Sequence, residues 1–186
     1  MANLTNDLKN ALSSAVSGAG DVAGTVQRVT KDNVVSLLQG AGGVATASLQ
    51  TVDQVVAEGL QAVISTGASL TDGVSGLIRG VVGGAKDTGV NVVEAAGEAA
   101  AQAVKTASTV GGDISAVAIS SVQGAIQAAG DIGADSGELA KSAVMGTLKA
   151  ADEVGSEAGG MVRKALLNAV ALPHDIIDAL LTGKTE

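Results

Sequence analysis

Counted from Asn10, eight blocks of 22 residues follow one another without insertion or deletion, and one hydrophobic pattern recurs in each. The third position reads Leu12, Val34, Val56, Ile78, Ala100, Val122, Val144 and Leu166, and the seventh reads Val16, Leu38, Leu60, Val82, Val104, Ile126, Leu148 and Val170. The tenth is small or apolar from Ala19 to Ala151, until Pro173 ends the series. The fourteenth is always small until the last block: Ala23, Ala45, Gly67, Gly89, Gly111, Gly133, Gly155, then Ile177. Spacings of four and three put these columns on one face of an α-helix, and no period-two alternation is sustained anywhere. An all-α protein is predicted. Twenty-two residues are two elevens, about 3.67 residues per turn, a period that gives a straight or slightly right-handed supercoil.

Paired glycines at Gly42-Gly43, Gly83-Gly84, Gly111-Gly112 and Gly159-Gly160 are candidate turns. A hairpin loop spends residues outside the helical pattern and should shift the register, yet the register holds across all of them. The pattern therefore favours one nearly continuous helix from about Asn6 to Leu172, roughly 250 Å long at about 1.5 Å per residue. A bundle of helical hairpins is the competing arrangement. On the rod reading, residues 1–9 are a lead-in and N-cap, 10–172 the rod, and 173–186 a short apolar helix and tail after Pro173.

Glycine decides what such a rod needs. The chain holds 26 glycines, and at about 0.8–1 kcal/mol each relative to Ala they cost on the order of 20 kcal/mol inside helices. Burial of the apolar stripe must offset this. The stripe can be buried against copies of the chain or against a lipid-like surface. In the first case, parallel, in-register chains stack rings of Val16, Leu38, Leu60, Val82, Val104, Ile126, Leu148 and Val170 between small-residue rings at Gly67, Gly89, Gly111, Gly133 and Gly155. The width of the stripe favours more than two chains.

The eleven-residue period and core type resemble the prokaryotic hendecad proteins over about residues 10–172. That resemblance implies a right-handed parallel homotetramer, with glycine rings leaving apolar voids that can hold or conduct a small hydrophobic molecule. In architecture it is similar to the quinone-conducting stalk subunit of uptake hydrogenases. A second resemblance, carried by stretches such as Ala85-Lys86-Asp87-Thr88-Gly89-Val90, is to the eleven-residue repeats of perilipins and implies a coat on a lipid droplet, storage granule or membrane. Against the coat stand eleven basic residues to nineteen acidic and the absence of Phe, Tyr and Trp.

Composition narrows function. Without aromatics, a compact globular domain with a binding pocket is not expected. Without cysteine there is no thiolate chemistry, and a net charge of −8 disfavours nucleic acid. No signal-peptide pattern opens the chain, so a cytoplasmic location, with membrane association as an option, is the expectation. The longest uncharged stretch, Asn33 to Val52, contains Asn33, Ser36, Gln39, Thr46, Ser48, Gln50 and Thr51 and is too polar for a spanning helix.

The C-terminal segment is the most apolar. Leu172, Ile176, Ile177, Leu180 and Leu181 form either a clasp that seals an oligomer or a peg that docks on a protein or membrane. His174 has no nucleophile placed near it by any motif, and Gly183-Lys184-Thr185 lacks the upstream glycine of a phosphate-binding loop. Catalytic, cofactor-binding and metal-ligating residues are not expected. The carboxylates at positions 12 and 16 read as a solvated face.

Overall fold

The computed structural model describes residues 2–17, 20–40, 45–169, 172, 173 and 177. Among them are eight helices and no strand: α1 (Ala2–Ser17), α2 (Val22–Gly40), α3 (Ala45–Thr66), α4 (Leu70–Thr88), α5 (Val92–Val110), α6 (Ile114–Ile132), α7 (Ser136–Val154) and α8 (Ser156–Asn168). The all-α expectation stands. The continuous helix does not: the chain turns back on itself, and the 22-residue block is a 19-residue helix followed by a three-residue turn.

The turn is written in positions 14 to 16. Position 14 stops the helix: Gly67, Gly89, Gly111 and Gly133 have φ of +69°, +76°, +73° and +69°, a left-handed conformation that strains residues carrying a Cβ. After it, the N–H of Val90, Gly112 and Ala134 donates to the carbonyl of Ala85, Ala107 and Ala129 at 2.8–2.9 Å, closing the Schellman bonds of a helix end. Position 16 starts the next helix. Asn91 Oδ1 accepts from the Val93 and Glu94 N–H groups at 2.9 and 3.3 Å, and Asp113 Oδ1 from Ser115 and Ala116, both at 3.0 Å. Asp135 caps Glu138, and Ser69 caps Asp72. Because every described turn from α3 to α7 is the same length, folding back leaves the sequence register untouched.

Gly67, Gly89, Gly111 and Gly133 are therefore turn residues, not rings of a packed core. They are exposed, and a Cβ built on any of them meets nothing within 4 Å. Gly155, the single residue between α7 and α8, is likewise in open space. Position 16 is a set of caps, not a merely solvated face.

Helices two apart in sequence lie side by side, and each helix touches those one and two places away. This sorts the chain into two rows, α1-α3-α5-α7 and α2-α4-α6-α8. Within a row the packing is parallel. Gly76 of α4 sits on Ala23 and Val26 of α2, Gly80 on Gln27 and Thr30, and Gly84 on Lys31 and Val34, all advancing in step. A Cβ at Gly80 would lie 2.6 Å from Thr30 Cβ and 2.7 Å from the Gln27 carbonyl oxygen. In the other row, Gly146 of α7 meets the backbone of Gly97 of α5, where a Cβ would overlap the Gly97 carbonyl oxygen. Glycine inside these helices allows backbone-to-backbone approach.

The repeating stripe fills the space between the rows. Position 3 is buried in every block, from Leu12 to Leu166. At position 7, Leu38, Leu60, Val82 and Val104 are buried, whereas Ile126 and Leu148 are partly so; the Val16 side chain and Val170 lie outside the described residues. Central α4 is buried on most of its circumference. Of the C-terminal apolar residues, Leu172 and Ile177 are buried in this same core, and Ile176, Leu180 and Leu181 lie outside the described residues.

Three kinds of glycine predict different responses. Gly80→Ala and Gly146→Ala push a methyl into backbone and should destabilise by about 1–3 kcal/mol. Gly130→Ala, in helix α6 with nothing within 4 Å, should stabilise by up to about 1 kcal/mol. Gly111→Leu should cost about 1–2 kcal/mol through backbone strain alone. Urea unfolding followed by far-ultraviolet circular dichroism distinguishes the three.

Candidate functional site

Three position-12 carboxylates form inter-helix ties. Asp87, Asp131 and Glu153 each sit near the C-terminal end of a helix, where a negative charge opposes the helix dipole, and each reaches a cation on the helix two places earlier; Asp21, in the same column, instead accepts from the Gly24 N–H at the start of α2. Asp87 of α4 pairs with Lys31 of α2 at 2.8 Å, Asp131 of α6 with Arg79 of α4 at 2.9 Å, and Glu153 of α7 with Lys105 of α5 at 2.9 Å. Asp131 also accepts from Gln27 Nε2 at 3.2 Å, so one carboxylate joins α2, α4 and α6. These pairs are largely exposed, and salt screens them. Their main contribution is to alignment of neighbours in a row.

On the face of the odd-numbered row, α3, α5 and α7 frame a groove of about 360 Å³. Leu49 closes one side, Glu94, Glu98 and Lys105 come from α5, and Met145 and Lys149 from α7. The floor is the close contact of Gly97 with Gly146. Missing side chains at these two positions let Ser142 Oγ donate to the Val93 carbonyl at 2.7 Å. Met145, 54% exposed, is the most exposed large apolar side chain described, and it stands on the rim.

Beside the groove, Asp53 of α3 meets Glu98 of α5. Burial, then the Glu98 charge and a hydrogen bond to that carboxyl, push the Asp53 carboxyl up to about 6, with Lys105 pulling the other way. Lys105 is held above the ordinary lysine value chiefly by its hydrogen bond with Glu153, and Glu153 is lowered by the same bond. A second concavity, of about 510 Å³, lies at the end of the array where the α5–α6 turn nears the start of α8, with Ile114, Val154 and Met161 at its wall.

Of the core residues predicted from the sequence, only Gly155 lines a concavity, the second one, and it does so as the residue between α7 and α8; none lines the groove. The α5–α7 pairing does have a trace in the sequence: Lys105 and Lys149 both occupy position 8, two blocks apart. Asp53 and Glu98 share no column, so only the fold brings them together. Among the described residues no group of three potential ligands converges as a metal site, and no helix is long and apolar enough to cross a membrane. His174 lies outside the described residues. No protein-family model matches the chain, and no curated protein matches it in sequence.

Ser142→Ala removes the side-chain bond from α7 to α5 and should cost about 1 kcal/mol in urea unfolding. Gly97→Ala, which brings a methyl to 2.5 Å from Ser142 Oγ, should cost more than Ser142→Ala, and the double variant less than the sum.

Proposed function

We propose that this protein is a non-enzymatic structural scaffold: a self-contained helical array that offers its outer faces, and above all the α3-α5-α7 groove, to a partner. The observation that carries this reading is that the apolar stripe of each repeat closes inside one chain. The rod required copies of itself to cover that stripe, and here the opposite row covers it. The accessible surface, 8339 Å² for a 17.8 kDa chain, is close to the roughly 8,000 Å² of a compact monomer of that mass.

The first even-numbered helix supports the same reading. On α4 the stripe Gly76, Gly80, Gly84 is buried against α2; on α2 the corresponding stripe is Arg28, Asp32, Ser36 and Gly40, all exposed. A charged, polar outer face is how a repeat array ends without recruiting another unit. A parallel homotetramer with an apolar lumen is thus no longer needed to account for the stripe. Among the described residues, the groove and the second concavity both open on the surface.

The lipid-coat reading retains one supporting observation: amphipathic helices joined by glycine turns, four of them in succession 19 residues long, can open and lay their stripes on oil. It requires the core to come apart.

Sedimentation equilibrium in lipid-free buffer, with interference optics because the chain has no Trp or Tyr, tests the proposal. A mass near 17.8 kDa with cooperative unfolding is expected. A mass near four times that value would return the stripe to an intermolecular interface. Flotation with triolein droplets and loss of cooperative unfolding would favour the coat.

A further inference from the structure

We propose that the seam between α3 and α5 is an acid-tightened clasp, in which one proton shared by Asp53 and Glu98 holds the α1–α3 part of the odd-numbered row against α5. Two carboxyl groups from different helices meet here, and they can hydrogen-bond to each other only if one carries a proton. Asp53 Oδ1 is shut off from solvent and has no hydrogen-bond partner. An ionised Asp53 therefore places a half-buried charge, with one oxygen unpartnered, beside a second carboxylate.

Of the surrounding charges, Lys105 is the one that acts against the proton on Asp53. From α5, Glu98 and Lys105 face Asp53, but Lys105 is engaged by Glu153 of α7 at 2.9 Å. On α3 itself, Glu58 accepts from Gln54 Nε2. Of the other helices packed on α3, α2 directs Lys31 to Asp87, and α4 directs Arg79 to Asp131 and Lys86 to the Ile132 carbonyl. Asp7 and Lys9 of α1, Arg28 and Asp32 of α2, and Asp72 of α4 are exposed and exert no resolved effect on Asp53.

The titration supports the geometry. The Asp53 carboxyl moves from 3.8 to about 6 on folding, so the native state binds the proton more tightly than the unfolded chain. The resulting stability is fully present below about 3.8 and is lost as pH rises through about 6. Between pH 5.5 and 7.5 the clasp passes from largely closed to open. Loosening it frees the α3 side of the groove, so acidification should also order Leu49 against α5.

The test uses the full chain. Thermal unfolding at pH 5.5 and 7.5 is compared for the wild type, Asp53→Asn and Glu98→Gln, and the side-chain carboxyl of Asp53 is titrated by carbon-13 NMR. The wild type should melt higher at pH 5.5 than at 7.5, Asp53→Asn should lose most of that difference and Glu98→Gln part of it, and Asp53→Asn should melt above the wild type at pH 7.5. The carboxyl should titrate at about 6, a proton affinity about 100-fold above that of an ordinary aspartate. A carboxyl midpoint near 4, or variants that keep the wild-type pH response, would overturn the clasp. Should a variant not fold, the wild-type titration decides alone.

Discussion

The arrangement rests on close backbone contact between helices two places apart in the chain. Gly76, Gly80 and Gly84 bring α4 onto α2, and Gly97 with Gly146 brings α7 onto α5. A glycine inside a helix weakens that helix. The loss is offset only where a neighbouring backbone occupies the vacated space, with many short dispersion contacts replacing one side chain. The core made this way needs no aromatic residue: Ala and Val suffice once the helices lie so close.

This geometry orders everything else. Parallel neighbours in a row present the same helix end side by side, so a carboxylate near the end of one helix falls beside a lysine or arginine on the previous one. The turns from α3 to α7 are alike, so that both rows advance at the same rate there. The groove opens where α3, α5 and α7 leave the close contact of Gly97 and Gly146 uncovered toward solvent.

Much of this was legible in the chain. The inward columns are a matter of helical period, and Leu12, Val34, Val56, Ile78 and Leu166 are buried whichever way the helices assemble. The turn was present as well, in Gly89-Val90-Asn91 and Gly133-Ala134-Asp135, but an unbroken register argued against it. That argument assumes a loop is an interruption; here it is part of the period, and a glycine followed two residues later by Asn or Asp is its signature. Pairing of α4 with α2 rather than only with α3 was not legible, because a column of small residues states that something comes close without naming it. Asp53 and Glu98 were hidden for the same reason, since the row brings together residues that sequence separation keeps apart.

A two-row array built from single-helix units carries a parity. Removing one 22-residue unit from the middle would send every later helix to the opposite row, turning its groove-facing side to the other face and separating Lys105 from Glu153. Removing two would return each later helix to its own row, though the helix after the cut would meet a different neighbour. Row membership, and with it the face that a helix turns outward, is therefore kept only by changes of two repeats.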